Sequence, residues 1–156
     1  MEKITIRKAE KADMETLLQF EQGVIKAERP FDTTLKEGRI HYYDLQQLMD
    51  SDDAELVVAE VDSVVIASGY ARIEKSKLFH KHAEYAYLGF MYVVPEYRGR
   101  GVNGKILEAL KNWSLSRHIT ELRLEVYFDN QPAIKAYEKM GFAKNLIEMR
   151  LGLGEE

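Results

Sequence analysis

A run of cations and glycines, Arg98-Gly99-Arg100-Gly101-Val102-Asn103-Gly104-Lys105, follows directly on an apolar, β-branched stretch ending in Val93-Val94-Pro95. Val102, Ile106, Leu107, Leu110 and Trp113 then recur at helical spacing on one face. The run therefore sits where a strand hands over to a helix. The first N–H groups of a helix have no partner within it. Glycine lets that backbone come close to a ligand, and the helix dipole adds partial positive charge. A cradle for a pyrophosphate is the physical reading.

The same residues fit more than one phosphate pattern. Gly99, Gly101 and Gly104 spell the dinucleotide fingerprint, which expects further strand–helix pairs behind it. The remaining chain has too little length for them, and Pro95-Glu96-Tyr97-Arg98 makes a longer, more cationic turn than such a site uses. Gly99 to Lys105 also spells most of a nucleotide-binding P-loop. Ile106 stands where that loop needs Ser or Thr for magnesium. Glycine patterns alone do not choose the ligand, so the choice rests on residues further along.

Those residues are Leu124-Glu125-Val126-Tyr127-Phe128-Asp129-Asn130, then Ala133, Tyr137 and Gly141-Phe142. Together with Val93-x-Pro95-Glu96-Tyr97-Arg98-Gly99-x-Gly101, they resemble the GNAT superfamily of acetyl-CoA-dependent N-acetyltransferases, most closely over residues 91–142. The order of the other segments agrees with that family. Asn103 departs from the Gly or Ala usual at its position, and Gly104 follows at once.

Pattern reading predicts a strand at 4–7, a helix at 11–22 and a second helix at 35–48. Strands are expected at 55–60, 64–73 and 84–94, the first pair joined by a turn at Asp62-Ser63. A helix at 101–115, a strand at 122–127, a helix at 131–140 and a final strand at 146–153 complete the order β-αα-βββ-α-β-α-β. This is an α/β chain with a mixed, mostly antiparallel sheet flanked by helices, the GNAT-like fold, read as one domain over residues 1–156. The short stretch after Phe142 implies a curtailed terminal hairpin and an open acceptor side.

Composition narrows the function further. A net charge of −4 opposes non-specific nucleic-acid binding. No apolar run is long enough for a membrane helix. The N-terminal residues lack the apolar core of a secretion signal, so a cytoplasmic location is expected. With no cysteine, the chain has neither a thiol nucleophile nor a thiolate metal site. His80-x-His82 has no further metal ligands beside it, and no metal is expected.

The resemblance implies roles for individual residues. Tyr92, Val93 and Val94 would pair with the pantetheine arm, and an N–H near Val93 would stabilise the carbonyl oxygen. Such a slot needs two strands to splay, for which a β-bulge is the usual device. Arg98, Gly99, Arg100, Gly101, Val102, Asn103, Gly104 and Lys105 would hold the diphosphate, and Asn130, Ala133 and Tyr137 would contact the coenzyme. Tyr137 would protonate the leaving thiolate, although its spacing equally suits a packed core tyrosine. Glu125 is a candidate base, similar in its spacing from Tyr137 to a glutamate of bacterial ribosomal-protein N-terminal acetyltransferases. It is also readable as a structural carboxylate, and Glu84, Tyr85 and Tyr87 compete with it. Asn130 is equally an N-cap, and Lys105 either meets a phosphate or covers the helix. Arg29, Phe31, Tyr42 and Tyr43 fall where the family walls its acceptor site.

The implied reaction is direct acetyl transfer to a primary amine, of a small molecule or a protein N-terminus, in a ternary complex. A non-catalytic acyl-CoA sensor and a dinucleotide oxidoreductase are the competing readings. GNAT proteins often form homodimers, and no residue here decides that point.

Overall fold

Strands β2 (Ala54–Val61), β3 (Val64–Lys75) and β4 (Glu84–Val93) form the middle of a five-stranded sheet. They are joined in antiparallel register, with β1 (Thr5–Lys8) antiparallel on the β2 edge. The turn between β2 and β3 falls at Asp62 and Ser63, both at positive φ, as a tight hairpin requires. Strand β5 (Leu122–Arg123) joins the other edge in parallel to β4. Parallel neighbours need a crossover, and helix α3 (Val102–Ser116) supplies it. The sheet is therefore mixed, as expected.

The computed structural model describes residues 2–154. Met1, Glu155 and Glu156, included in the expected 1–156 domain, lie outside the described residues. The chain divides after Glu125 into two compact units. The first contains the whole sheet, helices α1 (Met14–Glu28) and α2 (Leu45–Asp50), and α3.

Alternation along β2 and β3 serves both faces of the sheet. Leu56, Val58 and Tyr70 join Leu17, Phe20 and Val24 of α1, with Leu45 and Leu48 of α2, in one buried cluster. Gly69 faces the other way, and a Cβ there would meet Ile106 of α3 and Met91. Fully buried Ile106 and Leu110 thus lie on the bare backbone of β3. Each such side chain contributes roughly 1.5–3 kcal/mol of apolar burial.

Four elements differ from expectation, two of them helices of the first unit. Helix α1 begins after a 3-10 turn at Lys11–Asp13 and runs six residues past Gln22 to Glu28, ending where Pro30 follows. The second helix spans Leu45–Asp50, not 35–48, because Asp44 caps it by accepting a bond from the Gln47 N–H. Side chains of the first helical segment bind the backbone before it. Arg29 donates to the carbonyls of Lys36 and Gly38, and Gln22 donates to that of Ile40. The fully buried Glu21 carboxylate accepts the N–H groups of Tyr42 and Tyr43 and lies 2.7 Å from His41 Nδ1. A chain tied this way cannot also make helical i to i+4 bonds.

The second unit holds helix α4 (Gln131–Lys139). The expected final strand at 146–153 is not formed, and residues 143–153 have no regular structure. A strand needs a neighbour for its backbone groups, and this unit contains no strand among the described residues. Leu146, Met149, Leu151 and Leu153 are each more than 80% exposed. The expected strand at 122–127 is likewise limited to Leu122–Arg123.

Candidate active site

Strand β4 is interrupted where the site begins. Its ladder with β3 pairs Gly89 with Tyr70 and Tyr92 with Ser68, so two β4 residues oppose one on β3. This is a β-bulge, and Phe90 within it has φ of 55°. The buried Ser68 hydroxyl donates to the Phe90 carbonyl at 2.9 Å and satisfies it. Gly89 leaves room for the Tyr70 ring, whose atoms would lie 2.6 Å from a Cβ. Pairing between β4 and β5 covers only Ala86 and Tyr87. Beyond Tyr87 the β4 edge faces no strand among the described residues.

The last residues of β4 point their backbone groups in alternate directions. Val94 donates to Ile66 on the β3 side, and its carbonyl accepts the Tyr97 N–H. The Val94 N–H is thus occupied, and its carbonyl already accepts one bond. Val93 faces the opposite, open side. Its carbonyl is taken by Arg98 Nε at 2.8 Å, which leaves its N–H facing the open edge. Tyr92 lies opposite Ser68 in the ladder. Its ring packs 4.9 Å from that of Phe20, against bare Gly23 of α1, with the Arg98 guanidinium 5.5 Å above it.

From there the chain makes a 3-10 turn at Pro95–Tyr97 and enters the glycine run. Gly99 and Gly101 have φ of 76° and 78°, which L side chains adopt only with strain. Gly101 is the N-cap of α3, and no side chain caps that end. The N–H groups of Val102, Asn103 and Gly104 therefore lack helical partners, the first helical bond being Lys105 N–H to Gly101. A Cβ at Gly99, Gly101 or Gly104 would meet nothing within 4 Å, so packing does not demand glycine there. The Val102 side chain is buried, and only its backbone is offered. Arg100 lies over the Tyr97 ring, while Lys105 is exposed.

On the α1 face, Tyr87 donates its hydroxyl to Glu125 Oε1 at 2.8 Å. Burial, and then this carboxylate, pushes the Tyr87 phenol above the usual tyrosine range. Burial does the same to Tyr70 and Tyr43. The rings of Phe90, Tyr43, Tyr70 and Tyr87 form a row with neighbouring centroids 4.7, 5.9 and 6.4 Å apart. Burial raises the Glu28 carboxyl near this row. Arg72 stands 5.6 Å over Tyr70 and 6.0 Å over Tyr87. Sequence reading singled out neither Tyr70 nor Arg72, which lie in an ordinary-looking strand; strand alternation across from Tyr87 was the available signal.

The motif from Asn130 to Phe142 has a clear structural basis within the second unit. Asn130 Oδ1 accepts the Ala133 N–H at 3.3 Å and caps α4. At the other end, Gly141 at φ 102° donates to Glu138, and Phe142 donates to Tyr137. This is a Schellman stop, and the Tyr137 and Phe142 rings, 5.8 Å apart, make the apolar contact that accompanies it. The motif spells the start and stop of one helix.

His82 lies 3.7 Å from Glu121. Among the described residues, no three His, Asp, Glu or Cys side chains gather to hold a metal. No helix among them is long and apolar enough to cross a membrane.

A mixed sheet with a bulged, splayed fourth strand feeding a glycine-rich helix start defines an acyltransferase-type fold. Residues 16–142 match the model of the Acetyltransferase (GNAT) family, and the chain belongs to that family. Over 53 residues it is 40% identical to streptothricin acetyltransferase of Escherichia coli, covering 34% of this chain and 30% of that one. Over 62 residues it is 39% identical to thialysine N-epsilon-acetyltransferase of Bos taurus, covering 40% and 36%. The chain spans about a third of the length of these curated relatives. The fold superposes on a predicted acetyltransferase of Clostridium acetobutylicum solved with acetyl-CoA, with a TM-score of 0.72 and 20% identity over 97% of each chain.

Proposed function

We propose that this protein transfers the acetyl group of acetyl-CoA to a primary amine, of a small molecule or a protein N-terminus, by direct attack in a ternary complex. In this reading residues 1–156 act as one N-acetyltransferase domain in the cytoplasm, needing no metal. Homodimer formation is part of the reading, and sedimentation velocity decides it. One observation supports the reading above the others: the Val93 N–H faces an open strand edge directly before an uncapped, glycine-rich helix start. The crystallised relative holds acetyl-CoA, and the curated relatives are named for N-acetyl or streptothricin acetyl transfer.

The backbone amides of residues 99–104 hold the diphosphate, with Arg98, Arg100 and Lys105 adding positive charge. Asn130 and Ala133 contribute further coenzyme contacts. The arm then follows β4 backward, because the forward direction leaves the sheet. From Val93 to Leu88 the strand offers roughly 16 Å of edge. Acetyl-CoA supplies an acetyl group activated as a thioester. A β4 amide at Val93 stabilises the carbonyl oxygen as charge develops, a contribution of about 3 kcal/mol for one such donor. Tyr87, its phenol pushed up, keeps its proton at neutral pH. It therefore orients Glu125, and Glu125 takes the proton from the acceptor ammonium. Tyr137 donates the proton that the leaving thiolate requires.

The test uses Tyr137→Phe. The ring contact with Phe142 survives this change, so only the hydroxyl is lost. The expected result is retained acetyl-CoA binding by calorimetry with at least tenfold lower kcat. Turnover equal to that of the unaltered protein removes Tyr137 as the acid. Acetyl-CoA binding without acetylation of any amine in a broad panel favours the sensor reading.

A further inference from the structure

Arg72, Tyr87 and Arg123 lie directly opposite one another on β3, β4 and β5, forming one row across the sheet. The two arginines are held differently. Arg123 directs both Nε and Nη2 to Glu121, at 2.8 and 2.7 Å, and lies 3.9 Å over the Tyr85 ring. Its Nε–Nη2 side is committed to that carboxylate. Arg72 binds Glu74 through Nε alone, at 2.6 Å. Its Nη1 and Nη2 make no bond among the described residues. The faces of Tyr70 and Tyr87 hold its guanidinium. The result is a positioned planar fork with its terminal edge open, beside the tyrosine that binds Glu125.

Such a fork matches a carboxylate, because parallel N–H bonds meet both oxygens. Resting on the reading that Glu125 receives the acceptor ammonium, we propose that Arg72 binds a carboxylate of the acceptor. The substrate class is then an amine with a carboxylate close to the reacting nitrogen. Arg72 and Tyr87 are on adjacent strands, and Glu125 lies just beyond Arg123, where β5 ends. The nitrogen and carboxylate are thus separated by one to two strand spacings, about 5–10 Å. This favours compact amino acids over amines that carry no carboxylate.

The experiment compares short ω-amino carboxylates with the carboxamides that differ from them only in charge. The unaltered protein is expected to favour the carboxylates by about tenfold in kcat/KM. Arg72→Gln abolishes that preference through KM for the acceptor and leaves KM for acetyl-CoA unchanged, and Arg72→Lys restores part of it. Equal use of both acceptors by the unaltered protein overturns the assignment and leaves acetyl transfer standing. So does transfer to neither acceptor with acetyl-CoA bound, or an unchanged ratio in Arg72→Gln. The comparison in the unaltered protein is decisive even where a variant does not fold. Failure to bind acetyl-CoA at all removes the transferase reading, and this assignment with it.

Discussion

The Tyr87 hydroxyl donates to Glu125 Oε1 at 2.8 Å, joining two side chains 38 residues apart at the point where β4 and β5 separate. The bond fixes one carboxylate oxygen, and in the proposed mechanism the other receives the acceptor ammonium. Glu125→Gln keeps the shape and the acceptor for Tyr87 but loses the proton-accepting oxygen. We expect kcat to fall roughly 100-fold, within the range of general-base catalysis. Steady-state kinetics checks this, and a change below about threefold assigns Glu125 a purely structural role.

Gly101→Ala tests the helix start. A Cβ at φ 78° has open space around it but costs about 1–2 kcal/mol in backbone strain. The loop is expected to relax away from its left-handed conformation and misdirect the amides of Val102 and Asn103. Coenzyme A affinity by calorimetry should weaken about tenfold, with the melting temperature lowered only slightly.

Gly23→Ala sets two effects against each other. In mid-helix, alanine is favoured over glycine by about 0.8–1 kcal/mol. The new Cβ would sit 2.6 Å from the Tyr92 ring, itself wedged against Phe20. Overpacking of this kind costs about 1–3 kcal/mol, so net destabilisation is expected in urea unfolding. A stabilised variant would show that the ring moves freely.

Asp13 gives an acid dependence. The Arg7 guanidinium, bonded at 2.8 and 3.0 Å, holds its carboxyl below the usual aspartate range despite its burial. A lowered folded-state value means that the stabilisation is complete at neutral pH and is lost as pH falls through the folded value. Asp13→Asn should therefore unfold more easily at pH 7. Its deficit against the unaltered protein should shrink below about pH 4. A deficit constant from pH 7 to pH 2 would show that charge plays no part.

Much of the architecture was readable because it is local. Strands β2 to β4 announce themselves by alternation and the Asp62-Ser63 turn, and α3 by its apolar spacing. Asn130 and Gly141-Phe142 are a helix start and stop, with partners within a few residues. The start of helix α2 is not legible in its own residues, because the contacts that untie residues 35–44 come from Glu21, Gln22 and Arg29 in an earlier segment. The final stretch alternates like a strand, but forming one depends on a neighbour, which local sequence does not supply.

The candidate site divides along the same line. Sequence alone established the glycine-rich strand-to-helix junction, because φ preferences and unpaired helix N–H groups are properties of neighbouring residues. Only the tertiary structure decided that β4 bulges at Phe90, that the Val94 N–H turns to Ile66 while Val93 faces outward, and that Arg72 and Tyr87 share a row with Arg123. Those relations depend on register between strands distant in sequence, and register is settled when the two faces of the whole sheet are packed together.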